Sequence, residues 1–333
     1  MTFSHPVVIG SGSWGTALAV FLAQKCPQVH LVGRNETLAE TINTTHCNSR
    51  YLPKATLPDN LIATTDNTLV SQADLVLFVV PTSATRDTAE KLAALHLPKS
   101  AVLLSCAKGI ELATGKRMSQ IIGDNFPENP IAVLSGPNHA EEIAQGLPAA
   151  ATIGSSDLAV GEALQDIFSN DRFRSYTNQD LAGIELGGAI KNVFAIAAGV
   201  TMGLKLGDNA ISALVTRALA EMTRLGTDLG GQIETFAGLS GLGDLIATCF
   251  SVHSRNHKVG LALGQGKSLD EAVAELGMVA EGVPNTRSIY EAARRSGTRT
   301  PILDVVYAVL YQKVPPAEAL DRLFRQAPRP EGE

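Results

Sequence analysis

The sequence predicts an α/β domain built on a mostly parallel sheet, followed by an all-α domain. Three observations carry that prediction. Short apolar runs alternate with amphipathic segments through the first half of the chain. A glycine-rich turn, Gly10-Ser-Gly-Ser-Trp-Gly15, joins the first apolar run to the first amphipathic one. After about Tyr176 the strand-like runs stop, and apolar residues recur at helical spacing. A length of 333 residues also suits two domains. The boundaries predicted are 1–178 for the α/β domain, 179–326 for the helical domain and 327–333 for a fraying, proline- and charge-rich tail.

In order, Pro6–Ile9 reads as a strand and Gly15–Lys25 as its following helix, then Val29–Val32 as a strand and Glu36–Ile42 as a helix. Leu75–Val80 is an uninterrupted apolar run stopped by Pro81, as expected of a strand buried on both faces. Ala101–Cys106 and Ile131–Leu134 repeat the pattern, and Ala149–Ile153 extends the sheet before a helix at Leu158–Phe168. Asp180 and Thr177 offer an N-terminal cap for a long helix from Leu181. Further helices are expected at Ile211–Gly226, Val259–Leu263, Leu269–Leu276, Thr286–Ser296 and Ile302–Tyr311.

Composition narrows the function. Hydrophobic residues make up 45% and charged residues 18%, ample for two buried cores. Lys and Arg number 27 against 33 Asp and Glu, and a net charge of −6 argues against a nucleic-acid partner. The four cysteines form no CxxC pair and no zinc spacing, so reduced thiols in a cytoplasmic protein are expected, with no metal. No basic segment precedes an apolar run near Met1, which speaks against a secretory signal. The most apolar stretch, Val193–Leu204, is interrupted by Gly199, Thr201 and Gly203, and no membrane span is expected.

The glycine turn has the context that gives GxGxxG its meaning, a strand before it and a helix after it. Gly10 permits the tight turn, Gly12 lets backbone approach a pyrophosphate, and Gly15 lets helix and strand pack closely. The phosphates then face the positive end of the helix. A dinucleotide site selecting NAD commonly carries Asp or Glu roughly 20 residues further on. Here the second strand ends in Gly33-Arg34-Asn35, and a guanidinium at Arg34 suits the 2′-phosphate of NADP(H). A plain turn and a solvated arginine are the competing readings.

Three other segments join polar residues to tight backbone. Cys106-Ala-Lys108-Gly-Ile110 ends a buried strand, where ligands of open α/β sheets lie. Glu185-Leu-Gly187-Gly188-Ala-Ile-Lys191-Asn192 sets two mid-helix glycines one turn below a lysine. Each glycine costs roughly 0.8–1 kcal/mol relative to alanine, which a close neighbour beside Lys191 would explain. A partly buried lysine there is an acid/base candidate. Gly241-Leu-Gly243-Asp244-Leu precedes Ser254-Arg255-Asn256, where Arg255 could grip a phosphate and Ser254 could equally be only a helix cap.

Together with Leu134-Ser-Gly-Pro137 and Val279-Ala-Glu281-Gly282, these segments resemble bacterial-type NAD(P)-dependent glycerol-3-phosphate dehydrogenases, over about residues 6–325 and in consistent order. The resemblance implies a Rossmann-type first domain and a second domain like the C-terminal domain of 6-phosphogluconate dehydrogenase. It implies reversible reduction of dihydroxyacetone phosphate to sn-glycerol 3-phosphate for glycerophospholipid synthesis, with NADP(H) or NAD(H), in a cytoplasmic homodimer. It makes Lys191 the catalytic acid/base and places Lys108, Gly136, Asp244, Ser254, Arg255 and Asn256 around the substrate. On the cofactor side it points to Ser13, Trp14, Arg34, Tyr51, Lys108, Ala140, Arg255, Val279 and Glu281, beside Gly10, Gly12 and Gly15. One position departs from the pattern: Asn138 stands where Ser or Thr commonly follows Gly-Pro, so an amide of different length would meet the substrate. Competing functions are a related hydroxyacid dehydrogenase, in which Arg255 holds a carboxylate, a non-catalytic NADP(H) sensor, and thiol catalysis through Cys106 or Cys249.

Overall fold

A computed structural model describes residues 2–325 and 330; the expected tail, Pro330 apart, lies outside the described residues. Eight strands form one sheet: β1 (Pro6–Ile9), β2 (Val29–Val32), β3 (Leu61–Thr64), β4 (Leu75–Phe78), β5 (Val102–Ser105), β6 (Ile131–Ser135), β7 (Ala149–Ser155) and β8 (Phe173–Asn178). Their order across the sheet is β3-β2-β1-β4-β5-β6-β7-β8. The first six are parallel, β7 runs antiparallel to β6, and β8 pairs parallel to β7. Chain order reverses between β1 and β4, where open α/β sheets bind ligands beyond the strand ends. Every residue of β1, β4 and β5 is buried, because helices cover both faces.

The sequence did not reveal β3 or β8. Both are edge strands: β3 alternates buried with half-buried residues, and β8 buries Phe173 and Ser175 while exposing Arg174 and Tyr176. Helices Thr85–Ala93 and Met118–Asn125 also went unread, being rich in polar residues.

The second half packs around one long helix, Leu181–Gly203, whose first turn is capped by Asp180 accepting from Gly183 N at 2.8 Å. The length of this helix and its mean hydropathy of 1.4 meet the measure of a membrane span, but 83% of that window is buried inside the protein. The segment Ile233–Phe250 reaches the same measure less strongly, at 1.2, and is broken by a π-helical turn at Leu239–Gly243. Apolar character on all sides of Leu181–Gly203 follows from neighbours on all sides, as in the core helix of a large domain.

Two of its glycines carry the closest approach. A Cβ at Gly199 would meet the carbonyl of His257, and one at Gly203 would lie 2.5 Å from the carbonyl of Leu261. Helix Arg255–Gly264 therefore lies almost backbone to backbone on it. That contact holds Asn256, at the start of the second helix, against Asn192 on the first.

Candidate active site

The first helix, Ser13–Ala23, begins directly after Gly12, which supplies no side-chain cap. Its first amides are thus left for another acceptor. A Cβ at Gly12 would meet no atom within 4 Å, whereas one at Gly10 would lie 2.5 Å from Val79 O and one at Gly15 would strike Gly10 O. Gly10 also holds a φ of +120°, open to glycine and strained for other residues. So Gly10 and Gly15 shape the turn and Gly12 keeps its outer face clear, a cradle that fits a pyrophosphate. Ser13 Oγ donates to Tyr51 O at 2.8 Å, and Trp14 Nε1 is buried without a partner among the described residues. Arg34 is exposed just beyond β2.

Across the sheet from this turn, β5 and β6 run into the loops of Lys108 and Gly136. Lys108 Nζ donates to Gly136 O and to Asp244 Oδ2, each at 2.7 Å. Gly136 has a φ of +146°, and a side chain there would press on Ala151. Asp244 opens helix Asp244–Phe250, and its other oxygen, Oδ1, accepts from Lys191 Nζ at 2.7 Å. The same Nζ donates to Thr248 Oγ1 at 2.7 Å, while that hydroxyl donates to Asp244 O at 2.6 Å. One buried carboxylate thus holds two lysines, one from each half of the chain.

The mid-helix glycines divide their tasks. Gly187 admits the backbone of Ser240, 2.6 Å from where its Cβ would stand, which is ordinary close packing. Gly188 admits the stem of Lys108, at 3.4 Å, together with Ser135 Oγ. The neighbour that the sequence leads one to expect beside Lys191 is therefore the second lysine.

Electrostatics separates the groups. Burial pushes Lys191 down to about 8, against the attraction of Asp244 and with the repulsion of Lys108. Burial would raise Asp244, but the two ammonium groups outweigh it and hold the carboxyl below its ordinary range. Two cations and one anion leave one net positive charge in a largely buried site, suited to an oxygen that becomes anionic.

The other expected residues are less uniformly gathered. Ser254 caps helix Arg255–Gly264, its Oγ accepting from His257 N at 3.2 Å, so its capping reading holds. Asn256 Nδ2 donates to Asn192 Oδ1 at 2.9 Å, and its Oδ1 accepts from Gly282 N at 2.9 Å, making it a brace between three segments. Arg255 is exposed and near enough to Glu281 to draw its carboxyl down, although burial prevails and raises it. Val279 is exposed, and Ala140 is buried at the start of a short helix. Asn138 Nδ2 donates to Ala150 O at 3.1 Å, leaving a buried Oδ1 that finds no donor among the described residues.

Sequence reasoning missed Thr248, although it stands one turn after Asp244 on the same face. It also missed Asn285, whose Nδ2 donates to Lys108 O at 2.7 Å, and nothing in the sequence singles that residue out. Glu185 proves to be a joint: it accepts from Arg117 Nη1 at 2.5 Å and Ser119 N at 2.8 Å, fastening the central helix to the sheet domain. Thiol catalysis loses its footing, since Cys106 and Cys249 are buried and burial pushes both thiols up, Cys249 to about 12. Among the described residues no three His, Cys, Asp or Glu side chains gather as a metal site would require.

Comparison with known proteins shows the family to which this fold belongs. The family described as NAD-dependent glycerol-3-phosphate dehydrogenase matches with its N-terminal part over residues 7–160 and its C-terminal part over residues 180–321. The chain belongs to that family. A glycerol-3-phosphate dehydrogenase [NAD(P)+] of Lysinibacillus sphaericus is 46% identical over 321 residues, 95% of each chain. Among solved structures, the glycerol-3-phosphate dehydrogenase of Coxiella burnetii shares 35% identity with a TM-score of 0.93, covering 97% of this chain and 99% of that one. That of Saccharomyces cerevisiae shares 30% with a TM-score of 0.85 over 97% and 99%. As a member of the family the chain is an NAD(P)-dependent oxidoreductase with a Rossmann-type sheet and a helical second half.

Proposed function

We propose that this protein reversibly reduces dihydroxyacetone phosphate to sn-glycerol 3-phosphate, with Lys191 as the acid/base. The observation that carries this reading is the Lys191 ammonium held at 2.7 Å by both Asp244 and Thr248 inside a buried, net positive site. A reduced nicotinamide dinucleotide held by its pyrophosphate in the Gly10–Gly15 cradle would supply the hydride. Everything else falls to the chain. Lys191 donates a hydrogen bond to the carbonyl oxygen, then its proton as charge develops there, and recovers it when the reaction runs backwards. Asp244 keeps the amine protonated and aimed, and Thr248 fixes its second N–H. Lys108, tied to Gly136 O, adds positive charge to the oxyanion site. The unpaired Oδ1 of Asn138 is suited to accept a substrate hydroxyl.

Arg255, Ser254 and Asn256 open one helix, and we assign its exposed guanidinium to the substrate phosphate. Anchoring a group remote from the reacting carbon converts binding energy into alignment. Replacing Arg255 by lysine exchanges a planar fork for a point charge. KM for dihydroxyacetone phosphate is expected to rise roughly tenfold, about the worth of one charge-assisted hydrogen bond, with kcat falling as alignment is lost. An unchanged KM in steady-state assays removes Arg255 from this role.

We place the cofactor contacts at Ser13, Trp14, Tyr51, Lys108, Ala140, Arg255, Val279 and Glu281, with Arg34 reading the 2′-phosphate. In Arg34→Ala the ratio of kcat/KM for NADPH to that for NADH is expected to fall; a constant ratio dismisses Arg34. The four free thiols support a cytoplasmic location. The end of β8 at Asn178 supports a domain boundary at 178/179. Exposed apolar side chains such as Ile233 and Phe250 support a homodimer, which sedimentation would weigh. The product fits a role in supplying the glycerophospholipid backbone. The reaction itself is tested by loss of nicotinamide absorbance with dihydroxyacetone phosphate and each reduced cofactor. No loss with either one overturns the assignment.

A further inference from the structure

Residues 48–52 run beside the glycine turn and are fastened to it. Asn48 Nδ2 donates to Ser11 O at 3.0 Å and to Thr16 Oγ1 at 2.8 Å, and Tyr51 O accepts from Ser13 Oγ at 2.8 Å. Between those two anchors stands Arg50, exposed, with its guanidinium carbon 5.2 Å from the centroid of the Tyr51 ring. From the other side Gly33 presses on Ser11 so closely that a Cβ would strike Ser11 Oγ. Ser11 is therefore flanked by the turn that carries Arg34 and by the segment that carries Arg50. Among the described residues neither guanidinium has an ion pair.

We propose that Arg50 joins Arg34 in a two-cation cleft for the 2′-phosphate of an adenosine ribose, so that the protein binds NADP(H) in preference to NAD(H). The proposal rests on the reading of the Gly10–Gly15 turn as the dinucleotide cradle. A phosphomonoester carries close to two negative charges near neutrality, and planar guanidinium forks match its oxygens in pairs. Stacking on Tyr51 restrains the Arg50 side chain before the anion arrives, which reduces the rotamer freedom lost on binding. A ribose with a free 2′-hydroxyl gives neither cation a partner and gains nothing from either.

The chain holds a single tryptophan, Trp14, on the helix that opens the cradle, so its fluorescence reports occupancy without turnover. The wild type, Arg50→Met and Arg34→Ala would be titrated with NADPH, NADH, adenosine 2′,5′-bisphosphate and 5′-AMP. Methionine keeps an unbranched stem over Tyr51 and removes the charge. We expect Arg50→Met to weaken NADPH and the bisphosphate about tenfold or more, and NADH and 5′-AMP less than about twofold. The wild-type dissociation constant for NADPH is also expected to rise more steeply with salt than that of the variant. Equal weakening of all four ligands, or of none, overturns the role of Arg50. A wild type that binds neither dinucleotide overturns the cradle itself and is distinguishable from both of those results.

Discussion

Lys191→Ala is expected to lower kcat by roughly 10²–10⁴-fold, the usual worth of a positioned acid/base. The loss in kcat/KM is expected to be equal in both directions, because an enzyme leaves the equilibrium between ketone and alcohol untouched. The variant should still fold. Asp244 keeps its bond to Lys108 at 2.7 Å, so no carboxylate is left buried without a partner. Lys191→Met, which replaces most of the lost volume, separates missing chemistry from a cavity and is expected to be as inactive. The pH dependence gives a second signature. Ketone reduction needs the ammonium form, so its kcat/KM is expected to decline as pH rises through about 8, the value to which burial brings Lys191. Alcohol oxidation needs the neutral amine and is expected to rise through the same pH. Steady-state rates of either variant within tenfold of wild type, with NADPH still bound, exclude Lys191 as the proton donor.

How much of this was legible beforehand depends on whether a residue's role is local. Pro6–Ile9 is found where its apolar run lies, because a strand buried on both faces is apolar throughout, and Val29–Val32 keeps that character apart from the half-buried His30. β8 escaped notice because an edge strand shows its burial on alternate residues only. Helix Arg255–Gly264 starts four residues before the apolar spacing at Val259, since Ser254 sets its start by capping and no hydrophobic residue marks it. The glycine pair told that something crowds Lys191 without telling what. The answer, Lys108, lies 83 residues away in sequence and reaches it only through the fold. Asp244 stood out by its glycine neighbours, but its bond to two lysines at once is a property of the interface between the halves. Asn285 had no signal at all, because its amide serves a backbone carbonyl of the other half.

That shared carboxylate makes Asp244→Asn the more revealing substitution. The amide keeps the shape and one acceptor but removes the negative charge between the buried ammonium of Lys191 and the half-buried one of Lys108. Taking one partner from a buried ion pair typically costs about 3–5 kcal/mol, so a marked fall in Tm is expected. The catalytic effect has a different sign of evidence. Asp244 attracts the proton of Lys191, while burial and Lys108 repel it. Without the carboxylate the main attraction for that proton is gone while burial and Lys108 still repel it, and the pKa of Lys191 is expected to fall. The decline of ketone reduction with rising pH is then expected to begin at lower pH, leaving the variant weakest under alkaline conditions. Loss of stability alone would lower the amount of active enzyme at every pH and leave the midpoint where it was. Measuring kcat/KM for dihydroxyacetone phosphate across pH 6–10, on protein shown to be folded at each point, distinguishes the two. A midpoint identical to the wild type would mean that Asp244 merely braces the two halves, and that the charge on Lys191 is governed from elsewhere.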